Sequence, residues 1–126
     1  MTIVTVNIPT TWQTTETFGT QSDTTTWSTY RNILGAVTFT LTDVEGTNAG
    51  AWDYCNMWIA LLDSNGTEYG GGSLTKYWGQ NASAGLGSIN PSRNLRLRTR
   101  LNIWQNGQME ASGTWTATLS WNTSIF

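Results

Sequence analysis

Apolar and polar residues alternate with a period of two along most of this 126-residue chain, and no segment sustains the 3.6-residue period of an amphipathic helix. In Ala36 to Thr42, Val37, Phe39 and Leu41 face one way and Thr38, Thr40 and Thr42 the other, which predicts a half-buried strand. Arg93 to Trp104 is the longest alternating stretch. Leu95, Leu97, Thr99, Leu101 and Ile103 form one of its faces, and Arg96, Arg98, Arg100, Asn102 and Trp104 the other. Gly113 to Trp121 repeats the pattern, with Trp115, Ala117, Leu119 and Trp121 inward and Thr114, Thr116, Thr118 and Ser120 outward. Trp52 to Leu62 differs because both faces are apolar: Cys55, Met57, Ile59 and Leu61 on one, Tyr54, Trp58, Ala60 and Leu62 on the other. Such a strand is either central between two covered faces or packed against another subunit.

The remaining segments supply shorter strands and the turns between them. Val4, Val6 and Ile8 alternate with Thr5 and Asn7 until Pro9, which ends the run or places it at a sheet edge. Leu74, Lys76 and Trp78 oppose Ser73, Thr75 and Tyr77 in a strand that follows Gly70-Gly71-Gly72. Asp63-Ser64-Asn65-Gly66 and Asn106-Gly107 read as hairpin turns, because Asn-Gly accepts positive φ. Residues 10–29 read as loop with one or two short strands, 43–51 as a turn-rich connection and 79–91 as a long loop. The expected fold is therefore all-β, an antiparallel β-sandwich (jelly-roll-like or Ig-like) of seven or eight short strands. Residues 1–126 form one domain, with 1–8 as an edge strand or one exchanged with a neighbour.

Composition narrows the function. The chain has no histidine and eight tryptophans. That removes Ser-His-Asp and Cys-His nucleophilic catalysis and histidine metal ligation. Cys55 is alone in an apolar run, so it reads as a small buried hydrophobe rather than a nucleophile or ligand. The carboxylates Asp43, Glu45, Asp53, Asp63 and Glu68 lie within three residues of Gly, Asn or Ser, where turn chemistry accounts for them. The segment 43–48 offers hard oxygens to calcium but lacks the EF-hand pattern. No catalytic residue, metal site or cofactor is assigned, and a non-enzymatic protein is expected.

Charged residues make up only 11% of the chain, whose net charge is −2. Arg93, Arg96, Arg98 and Arg100 lie within eight positions, and the rest of the chain carries two basic residues against eight acidic ones. An acidic protein with one basic strip can dock head to tail on its own copies. A nucleic-acid binder would be basic throughout, whereas the sequence pI is about 4.8. No apolar run approaches the ~20 residues of a membrane-spanning helix.

The expected function is a structural subunit of an extracellular or particle-surface assembly, a filament, surface layer or virion. Its self-association would use Ile3, Val4, Val6 and Ile8 for strand pairing and Arg96, Arg98 and Arg100 for charge. The alternative is a carbohydrate-binding module or lectin using Trp12, Trp27, Tyr77, Trp78 and Trp104 as platforms, while Trp52, Trp58, Trp115 and Trp121 build the core. A homo-oligomer or polymer is the expected partner, with a glycan as the alternative and no nucleic acid. The start Met1-Thr2-Ile3-Val4 shows no secretory signal, so the chain is expected at a cell surface after signal removal, or in a virion assembled inside a cell.

Two segments resemble the WxL surface domains of Gram-positive bacteria. Leu41-Thr42-Asp43-Val44-Glu45-Gly46-Thr47-Asn48-Ala49-Gly50-Ala51-Trp52 is similar to their Asp-x-x-Gly-x-x-x-Gly-Trp stretch, with one extra residue before Trp52. Gly113-Thr114-Trp115-Thr116-Ala117-Thr118-Leu119-Ser120-Trp121 is similar to their closing Gly-Thr-Tyr-x-Ala-x-Leu-x-Trp strand. Trp52 is followed by Asp53-Tyr54 and Trp121 by Asn122-Thr123, so neither makes the defining Trp-x-Leu. The resemblance implies a non-enzymatic β-rich domain at a cell envelope, engaging wall glycan or partner proteins.

Overall fold

The structure is a computed structural model and describes residues 3–12, 24–27, 29–46, 50–110 and 113–122. These residues form the strands β1 (Ile3–Trp12), β2 (Thr24–Thr26), β3 (Arg31–Gly46), β4 (Tyr54–Leu62), β5 (Glu68–Tyr77), β6 (Ala82–Gln105), β7 (Gln108–Glu110) and β8 (Gly113–Asn122). Every pairing is antiparallel. No helix long and apolar enough to cross a membrane occurs among the described residues.

The strand order is β1-β8-β3-β6-β4-β5, with β2 and β7 also hydrogen-bonded to β6. β6 belongs to two layers. Its first part, Ala82 to Leu95, pairs with β3, which carries β8 and then β1. Its second part, Arg96 to Trp104, pairs with β4, which carries β5, while β2 and β7 occupy the other edge of that part. A strand that changes layers must bend. The β3–β6 ladder shifts register between Ile33 and Gly35 and again between Ala36 and Thr38, irregularities of the kind that turn sheet corners.

The all-β antiparallel sandwich expected from the alternation is the observed architecture, but its strands are not all short. β6 runs for 24 residues and absorbs most of the expected loop 79–91. β3 continues to Gly46, so the expected turn-rich connection begins later than Asp43. β5 includes the glycine run, forming one strand from Glu68 to Tyr77. β1 passes through Pro9 to Trp12, which an edge strand tolerates because a proline's missing N–H need not face a partner. The segment expected as an edge or exchanged strand is an edge strand on β8 of its own chain, with Ile3 opposite Asn122 and Trp12 opposite Gly113.

Inward parity follows the sequence. Phe39, Leu101 and Leu119, from three strands, are at most 1% exposed, each burial contributing about 1.5–3 kcal/mol. Trp115 ties the layers together: Phe39 meets it edge-on at 5.7 Å from its own layer, and Trp27, beside β2, at 6.0 Å from the other. Lys76 lies on the inward side with its Nζ 5.2 Å from the Trp52 ring centroid. At one corner β5 and β6 run backbone against backbone. A Cβ on Gly72 would lie 2.7 Å from the Gly85 carbonyl oxygen, and one on Gly70 would collide with the Leu86 carbonyl, so the closure requires glycine at both places. Both expected hairpin turns form: Gly66 N–H donates to the Asp63 carbonyl at 3.1 Å, and Asn106 and Gly107 adopt φ of 53° and 77°.

Candidate functional site

The outward side chains of β5, β4, β6 and β2 assemble one surface, and the pairing register decides which of them meet. Tyr54 of β4 lies opposite both Tyr77 and Trp104. Its ring stacks near-parallel to Trp104 (18°, centroids 6.1 Å apart) and tilts against Tyr77 at 6.1 Å. The next row is polar, with Thr75 Oγ1 donating to Asn56 Oδ1 at 2.9 Å and Asn102 beyond. Then come Ser73, Trp58, Arg100 and Thr24, followed by Gly71, Ala60, Arg98 and Thr26. Because Ala60 and Gly71 have almost no side chain, this part of the face is hollow. An open concavity of about 520 Å³ is lined by Trp58, Ala60, Gly71, Arg98 and Arg100, with Glu68 and Thr24 at its rim.

Three of the arginines lie over aromatic rings. The Arg100 guanidinium lies 4.1 Å from the Trp58 ring centroid, Arg93 4.1 Å from Tyr69, and Arg96 5.4 Å from Tyr30. Such contacts are worth roughly 0.5–1 kcal/mol at exposed sites, and a cation over a ring face can still donate its terminal N–H groups to a carboxylate. Arg98 Nη2 meets Glu68 Oε1 at 3.5 Å, a long, exposed pair worth about 0–1 kcal/mol. Among the described residues no carboxylate pairs with Arg96 or Arg100. Neighbouring guanidiniums two residues apart repel by on the order of 0.6 kcal/mol even in bulk water.

The opposite layer turns a different surface outward. Thr38, Thr40, Thr114, Thr116, Thr118 and Ser120 make it a hydroxyl face, with Thr40 Oγ1 2.8 Å from Ser83 Oγ and Thr42 Oγ1 donating to the Thr116 carbonyl. At its end, beyond the last β6 partner at Leu41, β3 carries the exposed carboxylates Asp43 and Glu45 on either side of buried Val44. The chain segments 41–46 and 113–121 meet here, since Val44 pairs with Trp115 and Gly46 with Gly113.

The expected self-association residues are split. Arg96, Arg98 and Arg100 do share one outward face. Ile3, Val4, Val6 and Ile8 lie in β1 at the far edge of the other layer, and their side chains lie outside the described residues. The expected carbohydrate set is not brought together. Tyr77 (55% exposed) and Trp104 join the aromatic row, but Trp78 (53% exposed) packs on Trp52 at 5.3 Å, away from it. Trp27 is half-buried and donates its Nε1–H to Thr99 Oγ1 at 2.9 Å. Trp12 ends β1, and its side chain lies outside the described residues.

Trp58 is a correction. Expected in the core, it is 37% exposed and forms a wall of the concavity. It shares strand parity with Tyr54 and Asn56, and the polar Asn56 was the signal that this side of β4 faces outward. Glu68, Gly71 and Tyr30 were missed as site residues because only the register places them there.

Two titratable groups have clear structural settings. Burial pushes the Cys55 thiol up to about 12, against a smaller opposing influence of the neighbouring Lys76 ammonium. The Asp63 carboxyl is held below its ordinary range by the Thr67 and Asn65 backbone amides, each donating to Oδ1 at 2.9 Å. Among the described residues no group of three or more Cys, Asp or Glu side chains is placed to hold a metal ion.

No family model and no curated protein matches this sequence. Among solved structures, a chain in the structure of infectious bursal disease virus Gx strain superposes with a TM-score of 0.48 at 9% identity, over 98% of this chain and 33% of that one. The present chain thus spans about a third of the length of that chain.

Proposed function

We propose that this protein is a non-enzymatic structural subunit that associates with its own copies in a surface layer, filament or virion, using the Arg-bearing face of the β5-β4-β6 layer as a contact. The carrying observation is the row Arg96, Arg98 and Arg100, displayed on one face with Glu68 as the single carboxylate paired to it among the described residues. A row of like charges repels itself, and carboxylates from outside the domain relieve it. The edge strand β1 adds a second contact, because an edge displays backbone N–H and C=O groups that another chain can pair with. A cell-envelope setting, as the WxL-like segments imply, suits such a subunit, and so does a virion.

Light scattering coupled to size exclusion tests this reading. The expected result is a mass above the 13.9 kDa monomer at low ionic strength, growing with concentration and falling as salt rises. A monomer at every concentration and salt would remove it. The exposure of Tyr77 and Trp78 favours carbohydrate binding as the second reading, tested by titrating Trp fluorescence with a sugar panel.

A further inference from the structure

The self-association reading leaves open which surface of the next copy meets the arginines. Arg98 and Arg100 stand two residues apart on one strand face, so their stems are spaced by about 6.6 Å. A matching partner presents two carboxylates at that spacing on an extended backbone. The chain carries such a pair: Asp43 and Glu45, two apart on one face of β3. Both are exposed, and neither takes part in an ion pair among the described residues.

Backbone geometry agrees. β3 pairs with β6 only as far as Leu41, while its other edge stays on β8 through Gly46. Beyond Leu41, then, one edge of the β3 segment has no strand against it among the described residues; the Trp52 indole N–H donates to the Val44 carbonyl within this segment at 3.2 Å. The receiving face is hollow where Ala60 and Gly71 line it, which gives an incoming strand room between Trp58 and Glu68.

We infer that the concavity at Trp58, Arg98 and Arg100 receives the Asp43–Glu45 end of β3 from a second copy. The inference rests on the proposed self-association. The two surfaces lie on opposite layers, so the contact is head to tail. A joined pair then keeps one unused acceptor and one unused donor, which produces a ring or an open polymer rather than a closed pair.

A charge swap tests it. One variant carries Arg98→Glu and Arg100→Glu, another Asp43→Arg and Glu45→Arg. Sedimentation velocity at low salt is expected to find each alone about 100-fold weaker in association than the unmodified chain. An equimolar mixture should associate again, because the two altered surfaces are opposite in charge and fit each other, and the two unaltered ones still fit as in the parent. Circular dichroism and Tm confirm folding; if a reversal variant fails to fold, Arg98→Gln with Arg100→Gln must weaken association and flatten its salt dependence.

Unmodified association that persists in the single variants, or a mixture that stays monomeric, overturns the pairing while leaving self-association standing. A chain that never associates overturns both. A monomer whose Trp fluorescence responds to a uronic acid, with the response lost in Arg98→Gln with Arg100→Gln, would assign the concavity to an acidic sugar and likewise overturn the pairing.

Discussion

The two layers of the sandwich share an inner face and differ in their outer ones. Inside, β3 and β8 contribute Phe39, Leu119 and Trp115, and β4 and β6 contribute Met57 and Leu101, all in the same buried cluster. Outside, the β1-β8-β3 layer displays Thr and Ser, while the β5-β4-β6 layer displays arginines seated on aromatic rings beside a hollow. Hydroxyl side chains suit any exposed strand and demand no partner. Guanidinium groups in a row favour one, and this difference is why the proposed contact lies on the second layer.

If the inner faces are equivalent, truncating one side chain from each should cost about the same. Leu101→Ala and Leu119→Ala are each expected to lower unfolding free energy by roughly 2–5 kcal/mol, measured by urea denaturation. A loss confined to one of them would mean that the layers do not share one core. The glycine corner comes next. Gly72→Val drives a branched side chain into the Gly85 carbonyl and should cost about 1–3 kcal/mol, whereas a negligible change would mean β5 and β6 can part without penalty.

Cys55 probes how well the inner face of the β5-β4-β6 layer is sealed. Its thiol ionises near 12 when folded, against an ordinary value of 9.0. The folded state therefore holds this proton where the unfolded state has released it. The stability this provides is complete below pH 9 and is lost as pH rises from there through 12, by up to about 1.4 kcal/mol per pH unit. Unfolding measurements on Cys55→Ala should lack that component of the slope. Equal slopes in the two proteins would place the thiol in contact with water.

Inner parity was legible because alternation alone decides it: Phe39, Leu101 and Trp115 face the core as their neighbours' hydroxyls and charges require. Strand extent was not. Residues 82–91 contain Gly85, Gly87, Ser88 and Pro91 and look like a loop, yet pairing with β3 holds most of them in β6. Buried Ala84 and Leu86 carried the period-two signal that the glycines obscured. The arginine ladder was legible within a single strand. Its neighbours were not, because Trp58 meets Arg100 only through the β4–β6 register, and Glu68 meets Arg98 only across β5 and β4 as well. Such partners are fixed by long-range pairing, which no local pattern encodes.

The smallest expected effect on stability is the most discriminating between the two faces. Arg100→Gln removes the cation from the Trp58 ring, a loss of about 0.5–1 kcal/mol. It also removes repulsion from Arg98, on the order of 0.6 kcal/mol. These terms nearly cancel, so unfolding free energy should stay within about 0.5 kcal/mol of the parent, as for Thr114→Val on the hydroxyl face. Association should separate the two variants: Arg100→Gln weakens it and reduces its salt dependence, while Thr114→Val leaves it unchanged. If Arg100→Gln instead destabilised the fold by several kcal/mol, the ladder would be part of what holds the domain together. The contrast between the layers would then be one of folding rather than of contact.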